Sequence, residues 1–112
     1  MKIHIYSLYS SLYKPTEIRY EVCEAEEKPK TYVLEKYPNH FSKKVLSKDE
    51  IGKVQGTYER CVILLERNDE LAKSLILKEY QDMLEDRERH VENMKTKING
   101  IKNCEIVEVQ HV

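Results

Sequence analysis

The stretch from Asp69 to Asn99 constrains this chain most. Across it, Leu71, Leu75, Ile76, Tyr80, Met83, Leu84, Val91, Met94 and Ile98 recur mainly at spacings of three and four, which places them on one apolar face of an α-helix. Arg67-Asn68-Asp69 offers an N-cap, and Asn99-Gly100 reads as a left-handed C-terminal cap. A helix over about 69–99 would reach roughly 45 Å at about 1.5 Å per residue. A chain of 112 residues is expected to form a single domain, 1–112, and a sheet four strands wide is only about 20 Å across. The distal half of the helix is therefore expected to overhang its own core.

The rest of the chain reads mainly as β. Ile3 and Ile5 alternate with polar residues, giving a strand over about 2–6. Ile18, Tyr20 and Val22 alternate with Arg19, Glu21 and Cys23 in a strand over about 17–24. Thr31 to Tyr37 is rich in β-branched and aromatic residues and reads as a strand over about 31–37. The polar, proline-broken segment 25–30 connects these two as a hairpin. The spacing of Ile5, Leu8, Tyr9, Leu12 and Tyr13 also fits a helix, so residues 6–13 stay open between a helical turn and an irregular edge. Ser47 and Glu50 form a capping box, with Leu46 and Ile51 at the staple positions, so a short helix is expected over about 48–54. Thr57 to Glu66 contains five successive apolar residues and reads as the most buried strand, about 57–66. Cys104 to Val109 is apolar enough for a last strand, about 104–109. The fold class is α+β: a small, mainly antiparallel sheet packed on one long C-terminal helix, with a short capped helix between strands.

Composition removes several function classes. The charged fraction is 35%, yet the formal net charge is only -1. The balance conceals an acidic segment, 17–29, and a basic one, 30–56. The longest apolar run, Cys61 to Leu65, is far too short to span a bilayer, so no membrane association is expected. The first residues lack the pattern of a signal peptide. Three cysteines, Cys23, Cys61 and Cys104, at no metal-clip spacing, read as reduced apolar side chains, and a cytoplasmic location is expected. The histidines, His4, His40, His90 and His111, have no ligand spacing. No glycine-rich phosphate loop or nucleophile elbow is present. The carboxylates Asp82, Glu85, Asp86 and Glu88 sit together on the charged helix and read as solvated surface. No catalytic residue, metal, cofactor or small-molecule substrate is expected, and the chain is not expected to be an enzyme.

Interaction surfaces are the better candidates. Tyr80, Met83, Arg87, His90, Met94 and Ile98 approximate a heptad seam on the overhanging half of the helix. A second copy of the chain, or another protein, is the expected partner there. Six of the eight tyrosines lie in the first 37 residues. An exposed sheet face carrying Tyr6, Tyr20 and Tyr32 would suit a host protein, because tyrosine joins an apolar ring to a polar tip. The alternative is nucleic acid. Lys36, Lys43, Lys44 and Lys48 interleave with Tyr37, His40 and Phe41, a pattern suited to phosphates and stacked bases. The negative overall charge and the five arginines against fourteen lysines weigh against it.

Two stretches, Glu24 to Tyr32 (EAEEKPKTY) and Leu46 to Val54 (LSKDEIGKV), stand in the order hairpin, capped turn, strand, long charged helix. This layout, over roughly residues 17–98, resembles small uncharacterised proteins carried by phages, prophages and other mobile elements of Gram-positive bacteria. The resemblance implies a dispensable accessory protein that acts on a host protein. It carries no functional residues.

Overall fold

A computed structural model describes residues 1–35, 44–56 and 60–110. The described elements are β1 (Lys2–Tyr9), β2 (Glu17–Glu27), β3 (Thr31–Leu34), β4 (Val45–Ser47), a 3-10 turn (Lys48–Glu50), β5 (Cys61–Leu64) and α1 (Asp69–Asn103). They form a five-stranded sheet in the order β4-β3-β2-β1-β5, with every neighbouring pair antiparallel, plus one long helix. The α+β class read from the sequence is the class observed. The chain divides into two compact units, Met1–Glu79 and Tyr80–Val112, and α1 runs through both ranges.

In the first unit, β2 is the strand on which the sheet bends. Its residues from Glu17 to Glu24 pair with β1, and Ala25 to Glu27 pair with β3. One face of the curled sheet draws a core from all five strands: Ile3 and Ile5, Cys23 and Ala25, Tyr32 and Leu34, Leu46, and Cys61 and Ile63, with Ile51 packed against it. The opposite face buries Tyr6, Val62 and Leu64 with Ala72 and Ile76 of α1, flanked by Leu8, Ile18, Tyr20, Val54 and Leu75. Strand β5 therefore contributes to both cores and is buried at all four of its residues. That two-sided burial is the reason its sequence is continuously apolar rather than alternating.

The edge of β5 is covered by the chain just before it. Gly52 N–H donates to Ile63 O at 2.8 Å, and Gln55 exchanges two backbone hydrogen bonds with Cys61. Gly52 has φ of 78° and Gly56 of 106°, a backbone region that side chains with a Cβ rarely adopt. These turns shorten the helix expected over 48–54 to the single 3-10 turn Lys48–Glu50. Ser47 caps it by accepting from Asp49 N–H at 3.3 Å. Ile51 is already extended, which returns the chain to the sheet edge.

Other boundaries also shift. Strand β1 continues to Tyr9, so the ambiguous residues 6–9 are strand, and β2 continues to Glu27. Strand β3 ends at Leu34, and residues 36–37 of the expected strand lie outside the described residues. β4 is an added strand. Residues 57–59 of the expected strand 57–66 are also outside the described residues, and β5 is Cys61–Leu64. The helix does not end at Asn99-Gly100. Gly100 is an ordinary helical residue, without positive φ, and α1 reaches Asn103. The strand expected over 104–109 is absent: residues 104–110 have no regular structure and are exposed.

Candidate functional site

The start of α1 is fixed from within the first unit. Asn68 is its N-cap, its Oδ1 accepting from Leu71 N–H at 3.0 Å. Beside it, the hydroxyl of buried Tyr6 donates to Asp69 Oδ1 at 2.6 Å and accepts from Asn68 N–H at 3.1 Å. Arg67 reaches both Asp69 oxygens at 3.2 and 3.3 Å, and its guanidinium lies 4.2 Å over the Tyr20 ring. Tyr20 OH is 2.7 Å from His4 Nδ1, and the Tyr6 and Tyr20 rings are 5.1 Å apart. The Arg67 guanidinium and the Tyr6 hydroxyl hold the Asp69 carboxyl below the usual carboxylate range. Burial, and then the bond to Asp69, push the Tyr6 phenol up. This constellation is a structural joint: its polar atoms are spent on one another, and it fastens the helix start to the sheet.

The three tyrosines therefore do not make one exposed face. Tyr6 is only 3% exposed and Tyr32 only 5%, and they belong to the two different cores. Tyr20 is half-buried under Arg67. The exposed aromatic in this part of the chain is Tyr13, 94% exposed beside Leu12 at 97%. Of the lysine–aromatic segment, Lys36, Phe41 and Lys43 lie outside the described residues, and Lys44 is exposed. Lys48 is engaged within the chain, with its Nζ 3.4 Å from Glu27 Oε2 and 5.3 Å from the centre of the Tyr32 ring.

The second unit carries a long run of exposed apolar side chains on α1. Tyr80, Leu84, Val91, Met94, Ile98 and Ile101 are between 38% and 70% exposed. Together with Arg87 they occupy positions 80, 84, 87, 91, 94, 98 and 101, alternating steps of four and three over three heptads. That is the spacing of a coiled-coil seam, with Leu84, Val91 and Ile98 at a and Tyr80, Arg87, Met94 and Ile101 at d. Of the six residues expected at this surface, Tyr80, Arg87, Met94 and Ile98 stand on the seam. Met83 is half-buried and His90 exposed, both at flanking g positions. Leu84, Val91 and Ile101 complete it. The first two are legible in the sequence once the seam is phased from Tyr80 to Leu84 rather than to Met83. Ile101 was hidden by the helix end expected at Gly100.

A shallow groove bordered by Leu84, Arg87, Glu88, Val91, Glu92 and Lys95 follows the seam, and another, bordered by Asp86, Arg87, Arg89, His90 and Asn93, lies beside it. The outer faces hold ordinary surface ion pairs, Asp86–Arg89 at 3.8 Å and Glu92–Lys95 at 3.4 Å, worth a few tenths of a kcal/mol each at about i,i+3 spacing. Among the described residues, no group of three or more His, Cys, Asp or Glu side chains is placed to hold a metal ion, and no helix is long and apolar enough to cross a membrane. Cys23 and Cys61 are buried and Cys104 is exposed, all as free thiols. No family model, curated protein or solved structure matches the chain.

Proposed function

We propose that this protein is a non-enzymatic protein–protein interaction module that associates with itself through α1, on the face running from Tyr80 to Ile101. One observation supports this reading above the others: seven consecutive seam positions in strict heptad spacing, six of them apolar and all six exposed. A helix that only needs to be soluble has no reason to keep such a stripe, since exposed apolar area is stabilising only when it is covered. The resemblance to mobile-element proteins fits an accessory role built on binding rather than catalysis.

Three heptads with one arginine layer make a short coiled coil, so a reversible dimer is the expected state rather than an obligate one. Sedimentation velocity over a concentration series tests it. The weight-average mass should rise from the 13.4 kDa of one chain toward twice that value. Leu84→Glu with Val91→Glu should prevent the rise. Each side chain contributes roughly 1.5–3 kcal/mol when buried, so the pair should weaken association by at least about 100-fold. A mass of one chain at every concentration up to about millimolar would overturn the reading.

A further inference from the structure

The exposed seam is not symmetric in charge along its length. From Tyr80 to Val91 the helix carries Asp82, Glu85, Asp86 and Glu88 against Arg87 and Arg89, a net of -2. From Glu92 to Asn103 it carries Lys95, Lys97 and Lys102 against Glu92, a net of +2. An acidic first half and a basic second half also suit the helix dipole. That effect is confined to the terminal turns and does not explain acids at 85–88, deep in the helix interior.

We propose that the occupant of this face is a second copy of the chain laid antiparallel, so that the acidic half of each helix lies along the basic half of the other. The proposal rests on the self-association reading and adds an orientation to it. Two features of the seam select that orientation. In a parallel, in-register pair, residues at the same heptad position share a layer, so the two Arg87 side chains would meet at one d layer. Two like charges would then be desolvated together, which is costly. In an antiparallel pair, a positions meet d positions, and each Arg87 meets an apolar side chain, Val91 or Ile98, according to the register. The flanking residues agree. Parallel pairing sets each g residue against the e residue five positions on in the other helix, placing His90 by Lys95 and Lys97 by Lys102. In the antiparallel register that sets Arg87 against Ile98, each Glu88 instead lies by Lys95 of the other helix, and Lys97 no longer faces Lys102.

Cys104 supplies the test. It is exposed and stands just past the end of α1, whereas Cys23 and Cys61 are buried, so a thiol-specific spin label attaches at one site per chain. The antiparallel seam crosses near residues 89–92 in either register. At about 1.5 Å per residue, that puts the two labels roughly 35–45 Å apart. A parallel pair brings them within about 15 Å, given helix axes about 8–10 Å apart. Double electron–electron resonance on the full-length dimer reads the difference. The expected result is the long distance, lost in Leu84→Glu with Val91→Glu. A short distance in a protein that still dimerises would overturn the antiparallel assignment while leaving self-association in place. A coupling that survives the double substitution would overturn it too, because the dimer would then be held elsewhere. A monomer by sedimentation would overturn both this proposal and the reading on which it rests. Salt is a second readout. The antiparallel dimer should weaken by severalfold as sodium chloride is raised from about 0.05 M to about 1 M, and strengthening would contradict it.

Discussion

Tyr6 shows how one side chain ties a sheet to a helix. Its ring fills the core between β1, β5 and α1, and its hydroxyl satisfies both Asn68 N–H and Asp69. Tyr6→Phe keeps the ring and strands those partners, so it should cost about 1–3 kcal/mol in a denaturant titration. No change in the midpoint would show that solvent satisfies both groups equally well. Asp69 adds a pH dependence. Its folded pKa lies below its unfolded one, so its contribution is complete above the unfolded value of about 3.9 and is lost as pH falls through the lower, folded value. Wild type and Asp69→Asn should therefore differ in stability at neutral pH, begin to converge below about pH 4, and meet once pH is below the lower, folded value. A constant difference across that range would assign the effect to something other than the charge. At Gly52, φ of 78° means that Gly52→Ala should destabilise by roughly 1–2 kcal/mol, even though a Cβ there meets no neighbour. Residue-level patterns were only partly legible in the sequence. The alternation in β2 directs attention to Ile18, Tyr20 and Val22, yet the fully buried residues of that strand are the small Cys23 and Ala25, and Val22 is exposed. Cys23 and Ala25 lie on the face that Ile3, Tyr32 and Leu34 fill, and alternation alone does not say which residues of a two-faced strand are enclosed.

At the scale of elements, legibility followed length and two-sided burial. The apolar run at Cys61–Leu65 announced β5 because both of its faces are covered. The long helix was plain from its period. Short or edge elements were not: β4 has three residues, too few for a period to register. The capping box at Ser47 produced one turn instead of two, because the glycines after it take turn conformations that close the β5 edge. Asn99-Gly100 looked like a stop because glycine tolerates a left-handed cap, but that tolerance is permission, not instruction. Since Gly100 is helical and open space surrounds its Cβ position, Gly100→Ala should stabilise the last turns of α1 by about 0.5–1 kcal/mol. Far-UV circular dichroism should show a more cooperative, higher-temperature loss of helix. A decrease in helicity would mean that the helix ends earlier, at the cap that the sequence suggests.

For the whole molecule, the charge balance noted in the sequence has a structural counterpart. The folded sheet unit contains its own cores and its own polar joint, whereas α1 beyond Glu79 has no fully buried residue. Its apolar stripe was legible in the sequence, and the phase in which it is read depends on where the helix ends and on whether Leu84 or Met83 continues it. The tyrosine-rich sheet face was not legible: periodicity cannot show that Tyr6 and Tyr32 belong to separate cores. The central claim is that α1 between Tyr80 and Ile101 joins one copy of the protein to another. Sedimentation velocity of the wild type beside Leu84→Glu with Val91→Glu, at matched concentrations and near-physiological salt, tests it most directly. The expected result is a mass that climbs toward two chains in the wild type and stays at 13.4 kDa in the variant. Identical, single-chain masses for both proteins at every concentration would contradict it.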